Sequence, residues 1–255
     1  MKIAPFTLVA AVTLAAGCPG PPAPATDAAL SVDAASATDA ALSVDAVSSV
    51  DAGVLFADDF ESFPTGAGWS DGTTHGGWRA AFDGFGTTDI EIDGTHALCE
   101  SPRVSTVASE THASLVVTHA TFADATVALR MRTVSQLRTP TPNAWEVAWV
   151  VWRYTDDLHF YYLTLKANGW ELGKEDPAYP GAQRFLASGS TPAFPIGPWR
   201  AVVIRQVGAT IDVSVDGVQL VTFTDTERPY ASGAVGLYNE DSHVCFDDVV
   251  VTLPR

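Results

Sequence analysis

Trp145–Lys174 reads WEVAWVVWRYTDDLHFYYLTLKANGWELGK. Two apolar runs, Trp145–Tyr154 and His159–Lys166, flank the polar turn Thr155-Asp156-Asp157. A third run, Gly169–Lys174, follows Ala167-Asn168. Short stretches rich in β-branched and aromatic residues, broken by polar turns, predict antiparallel strands. These three are predicted as consecutive neighbours in the middle of a large sheet. Four of the seven tryptophans fall here.

The pattern continues outward in both directions. Val54–Phe60, Trp78–Phe82, Thr88–Ile92, Ala113–Thr118 and Ala125–Val134 precede the central stretch as predicted strands. Arg184–Leu186, Trp199–Gln206, Thr210–Val215, Val218–Phe223, Gly233–Tyr238 and Val244–Thr252 follow it. Asp216-Gly217, between IDVSV and VQLVTF, signals a tight hairpin. No stretch after residue 53 shows helical periodicity. Many short strands without helices predict an all-β fold, a two-sheet antiparallel β-sandwich. The roughly 200 residues from 54 to 255 suffice for one such domain with a full core.

The first 53 residues read differently. Residues 1–18 carry an early Lys2 and an apolar run ending Leu14-Ala15-Ala16-Gly17-Cys18. The run is too short to span a bilayer and has the form of a signal peptide. Its Gly-Cys end resembles a bacterial lipobox, which implies lipidation of Cys18; the position three before the Cys is Ala15 rather than a large aliphatic. An ordinary signal cut nearby is the alternative. Residues 19–53 repeat ATDAALSVDA and contain neither aromatic nor basic residues, so they cannot bury enough apolar surface to fold. A solvated acidic tether is expected, with a fluctuating Ala-rich helix as the other possibility. The expected domains are therefore 1–18, 19–53 and 54–255. The protein is expected to be exported, as an outer-membrane or cell-surface lipoprotein or otherwise periplasmic or secreted. Its only membrane contact would be the N-terminal lipid anchor.

The net charge of −16 disfavours nucleic acid and anionic lipid as partners. With Cys18 acylated, Cys99 and Cys245 remain in an oxidising setting, and a disulfide between them is expected; two buried thiols are the alternative.

Asp58-Asp59-Phe60-Glu61 with Gly68-Trp69 opens the domain. Gly233–Tyr238 and Val244-Cys245-Phe246-Asp247-Asp248-Val249 close it. With the Val151–Tyr154 and Phe160–Tyr162 runs, these motifs resemble the concanavalin A-like jelly-roll superfamily. They are closest to its laminin-G-like and keto-disaccharide-hydrolase-type domains, and they also resemble jelly-roll carbohydrate-binding modules. The resemblance covers essentially the whole of residues 54–253. It specifies the fold well and the activity poorly, because this fold hosts lectins, hydrolases, lyases and adhesion domains. In the resembling binding modules, the opening Glu and closing Asp hold a structural Ca²⁺. The resemblance therefore implies a calcium site at Asp58, Glu61, Asp247 and Asp248. Such an ion takes six to eight hard oxygens. Solvated strand-end acids are the alternative.

A second constellation is basic and aromatic. Arg130, Arg132, Arg138, Arg153, Lys166 and Lys174 outnumber the four acids between residues 130 and 174. Alternation places Val127, Leu129 and Met131 on one face of their strand and Arg130 and Arg132 on the other. A groove is expected in which Arg130, Arg132, Trp149, Arg153 and Lys166 bind ligand with Tyr162 beside them. Sugar rings stack on aromatics, and their hydroxyl or acidic groups take hydrogen bonds from Arg and Lys. A packed aromatic core with solvated basic residues is the competing reading.

Were the groove catalytic, Glu146, His159, Tyr162 and Glu171 would be its acids and bases. The E-x-D-x-(x)-E run of family-sixteen-type hydrolases is absent. So are the alginate-lyase motifs, metal-binding His spacings, a G-x-S-x-G elbow and a phosphate loop. The sequence therefore points to a tethered, lectin-like domain that binds a polysaccharide or oligosaccharide, with an acidic polysaccharide as one candidate, as a monomer. A glycoside hydrolase or polysaccharide lyase on the same groove is the first alternative, and an adhesion or structural domain the second.

Overall fold

The computed structural model describes residues 53–107 and 110–255. The expected signal peptide, the lipidation site Cys18 and nearly all of the expected tether lie outside these residues. Sixteen strands follow one another. The first six are β1 Val54–Asp58, β2 Thr74–His75, β3 Trp78–Phe82, β4 Thr87–Asp93, β5 Thr95–Ser101 and β6 Ala113–Thr118. Next come β7 Ala125–Gln136, β8 Ala148–Asp156, β9 His159–Lys166, β10 Gly169–Glu175 and β11 Gln183–Gly189. The last five are β12 Arg200–Val207, β13 Thr210–Val215, β14 Val218–Thr224, β15 Ala234–Glu240 and β16 Ser242–Thr252. The only helical turn described is a 3₁₀ turn at Pro180–Ala182.

Two eight-stranded sheets result. The first runs β14-β13-β12-β7-β16-β5-β4, with β1 paired to β16. The second runs β11-β10-β9-β8-β15-β6-β3-β2. All pairings are antiparallel, as expected for a jelly-roll sandwich. The predicted trio β8, β9 and β10 lies inside the second sheet, as the Trp145–Lys174 pattern requires. Ala148, Val150, Trp152, Tyr161, Leu163, Trp170 and Leu172 point inward and meet Leu129, Met131, Val202, Ile204 and Phe246 of the first sheet.

Strand β8 begins three residues later than predicted. Trp145–Val147 is held in a turn by Glu146 N–H donating to Asn143 O and Val147 N–H to Trp145 O. Strand β5 has no counterpart in the sequence reading. Its Thr-His-Ala-Leu-Cys-Glu-Ser composition is a poor strand signal, yet it is a central strand between β4 and β16. The Asp216-Gly217 hairpin is present, and both residues have positive φ, the backbone such a two-residue turn demands.

Cys99 and Cys245 are cross-strand partners on β5 and β16, and they form the expected disulfide across 146 residues. A bridge closing so long a loop stabilises mainly by restricting the unfolded chain. Replacing both cysteines by serine is expected to cost about 2–4 kcal/mol. This is read as a lower urea midpoint at unchanged slope, and an unmoved midpoint would remove the bridge from the stability of the domain.

Candidate functional site

The outward face of the second sheet carries a second apolar cluster. Leu115, Val117, Val147, Trp149, Val151, Tyr154, Tyr162 and Ala234 form it, with Ala81, Phe82, Trp145, Phe160 and Tyr238 packed against them. The strand register explains the grouping. Thr164 of β9 faces Glu171 on one side and Trp149 on the other, and Trp149 faces Tyr238. One row therefore reads Glu171, Thr164, Trp149, Tyr238 and Leu115 across five strands. In the next row Gly173 faces Tyr162 and Val151 faces Gly236. The rings pack closely: the centre of the Trp149 ring lies 4.7 Å from that of Tyr162, in a tilted pair, and 5.3 Å from that of Tyr238, edge to face. Gly173 is required here, because a Cβ at that position would fall 2.3 Å from the Tyr162 ring.

Carboxyl groups border these rings. Glu171 pairs with Lys166. Glu175, two residues on from Gly173, shares its face and is 7% exposed. Burial, with the Glu240 charge adding to it, pushes the Glu175 carboxyl up to about 8. Glu240 of β15 accepts a hydrogen bond from the Tyr238 hydroxyl at 2.7 Å. It too is lifted by its enclosed position, to about 7, although the Tyr238 hydrogen bond and Arg138 oppose the rise. Both carboxyls thus titrate near neutral pH. Three polar atoms of this face are buried without a hydrogen-bond partner: Glu175 Oε2, Thr164 Oγ1 and Trp145 Nε1. Such atoms are uncommon in a satisfied interior. Arg79 of β3 makes no ion pair among the described residues. Its charge acts on the Tyr154 hydroxyl, which burial and Asp157 push upward.

The residues expected in one groove separate into three places. Trp149, Tyr162, Lys166 and Glu171 lie together on this face. Trp149 and Tyr162 form its floor rather than its surface, at 5% and 0% exposure. Arg130 and Arg132 lie on the opposite side of the sandwich. Strand β7 belongs to the first sheet, because the chain crosses between sheets after Gln136, so neighbours in sequence are not neighbours in space. There Arg130 pairs with Asp247 and Asp248, Arg132 pairs with Asp93 at 2.8 Å, and both guanidinium groups lie over Trp199.

Arg153 also leaves the group. Strict alternation would set it beside Trp149 and Val151. The ladder slips between Trp152 and Asp156, and Arg153 adopts φ 50°. This bulge gives the outward place to Tyr154. The buried Arg153 guanidinium turns to the carbonyls of Gly208 and Tyr230 and to Asp124. Glu146 is fully buried and pairs with Arg138. His159 pairs with Asp156 at the β8–β9 turn and packs on Tyr230, away from the aromatic face.

The calcium set at the chain ends does not fit the ion. Asp58 accepts from Phe60 N–H and Trp78 Nε1–H, and Glu61 accepts from His96 N–H. Asp247 accepts from Thr95, from the Asp248 N–H and from Arg130, which also donates to Asp248. The guanidinium occupies the cationic role, so these carboxylates present no converging free oxygens of the number calcium takes.

Glu175, Glu240, Tyr238 and Arg79 were not singled out by the sequence reading. The available signals were the alternation Glu171-x-Gly173-x-Glu175 and the pair Tyr238-x-Glu240, each of which places two polar groups on one strand face.

Two antiparallel sheets, a filled interior and one outward aromatic face bordered by carboxyls define a concanavalin A-like jelly-roll domain. The chain belongs to the family described as the 3-keto-alpha-glucoside-1,2-lyase-like domain, whose profile matches residues 68–252. No curated protein matches the chain. Among solved structures, a carbohydrate-binding module of family 66 from Bacillus subtilis superposes with a TM-score of 0.52 at 16% identity. The match covers 69% of this chain and 95% of that one. A non-specific endo-beta-1,3(4)-glucanase of family GH16 superposes at 0.51 and 13% identity, covering 79% and 91%. A Bacillus subtilis protein described as having a galectin-like fold reaches 0.52 at 12% identity, covering 78% and 100%. At these identities the likeness is one of fold.

Proposed function

We propose that the outward face of the second sheet binds a glycoside. The observation that carries this is the combination, on one face, of closely packed aromatic rings and buried polar atoms that lack protein partners. Sugars offer the complement, an apolar C–H face and a rim of hydroxyls. Tyr238 and Phe160 keep partly exposed rings at this surface, and Glu240, Glu171, Lys166 and Arg79 supply polar groups around them. The family description, which names a glucoside, supports the same reading.

A second reading, chemistry on that bound glycoside, is favoured by the two carboxyls poised near neutrality. A 1,2-lyase must remove a proton from the sugar and protonate the departing oxygen, and groups with pKa values near the working pH do this best. At neutral pH Glu175 would be mostly protonated and suited to give a proton, while Glu240 would be about half ionised and suited to take one. The same pair would serve hydrolysis.

The test is retention on an array of glycans and keto-glycosides, followed by product analysis of each hit. Retention is expected, and Tyr238→Ala is expected to weaken it by about threefold to tenfold, the worth of one ring contact. Tyr238→Phe should keep most of the affinity. Retention without products identifies a binding module, and new reducing or unsaturated ends identify an enzyme. No retention on any glycan, or a Tyr238→Ala variant that binds as the parent does, overturns the proposal.

A further inference from the structure

The outer face of the first sheet holds a group of donors that the glycoside face does not use. Cys99 and Cys245 stand opposite each other on β5 and β16. His243 precedes Cys245 by two residues on β16, and across the register shift after His243 its ring still lies on the side of the sulfurs. Glu91 arrives from the neighbouring β4, and its Oε1 lies 3.2 Å from His243 Nε2. One donor atom from each of the four residues lies within 4.8 Å of every other. The cysteines are buried at 2% and 1% exposure, whereas the side chains of His243 and Glu91 remain 25% and 47% exposed. The sulfurs therefore lie beneath an imidazole and a carboxylate that solvent can reach.

We propose that reduction of the Cys99–Cys245 bridge converts this patch into a Zn²⁺ site held by Cys99, Cys245, His243 and Glu91. The patch then alternates between a covalent link and a metal link joining β4, β5 and β16. Two electrons from an external dithiol cleave the S–S bond. The dithiol is oxidised to its own disulfide, and its two protons pass to the two sulfurs. Binding of Zn²⁺ then displaces those protons as the thiols become thiolates. Two thiolates, one imidazole and one carboxylate form a tetrahedral zinc set, with Zn–S about 2.3 Å and Zn–N about 2.0 Å. Donors in such a shell stand roughly 3.3–3.8 Å apart, so side-chain movements of about an ångström complete it. Sulfur and imidazole favour Zn²⁺ over Ca²⁺ or Mg²⁺. The contrast with the chain-end acids is chemical: those oxygens accept directly from a guanidinium, whereas Arg132, the β7 neighbour of Cys245, is turned to Asp93 and the Trp199 ring.

The test uses the full chain carrying Cys18→Ser, so that two thiols remain. The protein is reduced with a phosphine and freed of reductant under anaerobic conditions. It is then titrated with Co²⁺, whose absorption reports thiolate ligands, and back-titrated with Zn²⁺. One Co²⁺ per chain is expected, with a thiolate charge-transfer band in the reduced protein, displacement by Zn²⁺ and no band in the oxidised protein. His243→Ala and Glu91→Gln alter accessible side chains and leave both cysteines in place. Each is expected to weaken binding by at least the about tenfold that loss of an outer-shell partner alone costs. A reduced protein that takes up no metal overturns the proposal. So does a His243→Ala variant that binds as tightly as the parent.

Discussion

The domain should lose stability as pH rises from about 5 to about 8, and Glu175→Gln should remove a large part of that loss. In the unfolded chain Glu175 titrates near 4.5, and in the folded chain near 8. Between those values the folded state holds a proton that the unfolded state has released. Unfolding is therefore increasingly favoured as pH rises, and the effect is complete above about 8. The interval of 3.5 pH units corresponds to about 4–5 kcal/mol at 1.36 kcal/mol per unit. Glu175 is almost fully shielded from water, so screening by solvent takes little from this figure. Glu240 acts in the same sense between about 4.5 and 7. The Glu240 charge is itself one cause of the Glu175 shift, so the two contributions do not add.

A third carboxyl, the fully buried Glu100, is also pushed upward by burial, and neither of its oxygens has a partner. A falling wild-type melting curve therefore does not single out Glu175. The difference between Glu175→Gln and wild type does. It should be within about 1 kcal/mol at pH 5 and should favour the variant by several kcal/mol at pH 8.5. Parallel curves for the two proteins would exclude a raised Glu175.

The central sheet was legible because its signal is local. Alternation in Ala125–Gln136 and the paired turns around Thr155–Asp157 and Ala167–Asn168 state which strands are neighbours and which side chains share a face. Three features were not local. Strand β5 is held by pairing on both sides and by its buried Leu98 and Cys99 rather than by β propensity, so nothing in its seven residues announces it. The bulge at Arg153 reverses one residue of an otherwise regular alternation, and one slip moves a charged group from the candidate face to the end of the sandwich. The crossing between Gln136 and Ala148 sends Arg130 and Arg132 to the other sheet. Adjacency in the chain then suggests a basic groove that adjacency in space does not build. What the sequence did contain, Tyr238-x-Glu240 and Glu171-x-Gly173-x-Glu175, acquires meaning only when β8 and β9 are placed between β15 and β10.

Arg138→Met should destabilise the domain by about 3–5 kcal/mol, the cost of leaving buried charge without its partner. Arg138 donates through Nε to Glu146 at 2.5 Å and through Nη2 to Asp241, and both carboxylates are completely buried. Asn143 adds two further hydrogen bonds to Glu146, and the Ser105 N–H adds one to Asp241. The triad thereby ties the 137–147 connection to the start of β16 and the loop before β6. Glu146→Gln keeps the shape and loses only one charge of a network that retains Asp241, so a smaller loss, about 1–3 kcal/mol, is expected.

These variants also decide the place of Glu146, whose type and position suggest a catalytic acid while its contacts are those of a brace. A brace predicts that Glu146→Gln, measured well below its melting temperature, binds glycan and forms any product as the parent does per folded molecule. A catalytic acid predicts a loss of turnover with the fold intact. The triad reaches the candidate site by another route. Arg138 holds the Glu240 carboxyl down, while Glu146 and Asp241 push it up. Removing the guanidinium should therefore lift Glu240 above about 7. If the proposed role of Glu240 holds, the alkaline change in binding or turnover should move to higher pH in whatever fraction of Arg138→Met remains folded. An unchanged pH profile in that fraction would separate the brace from the site.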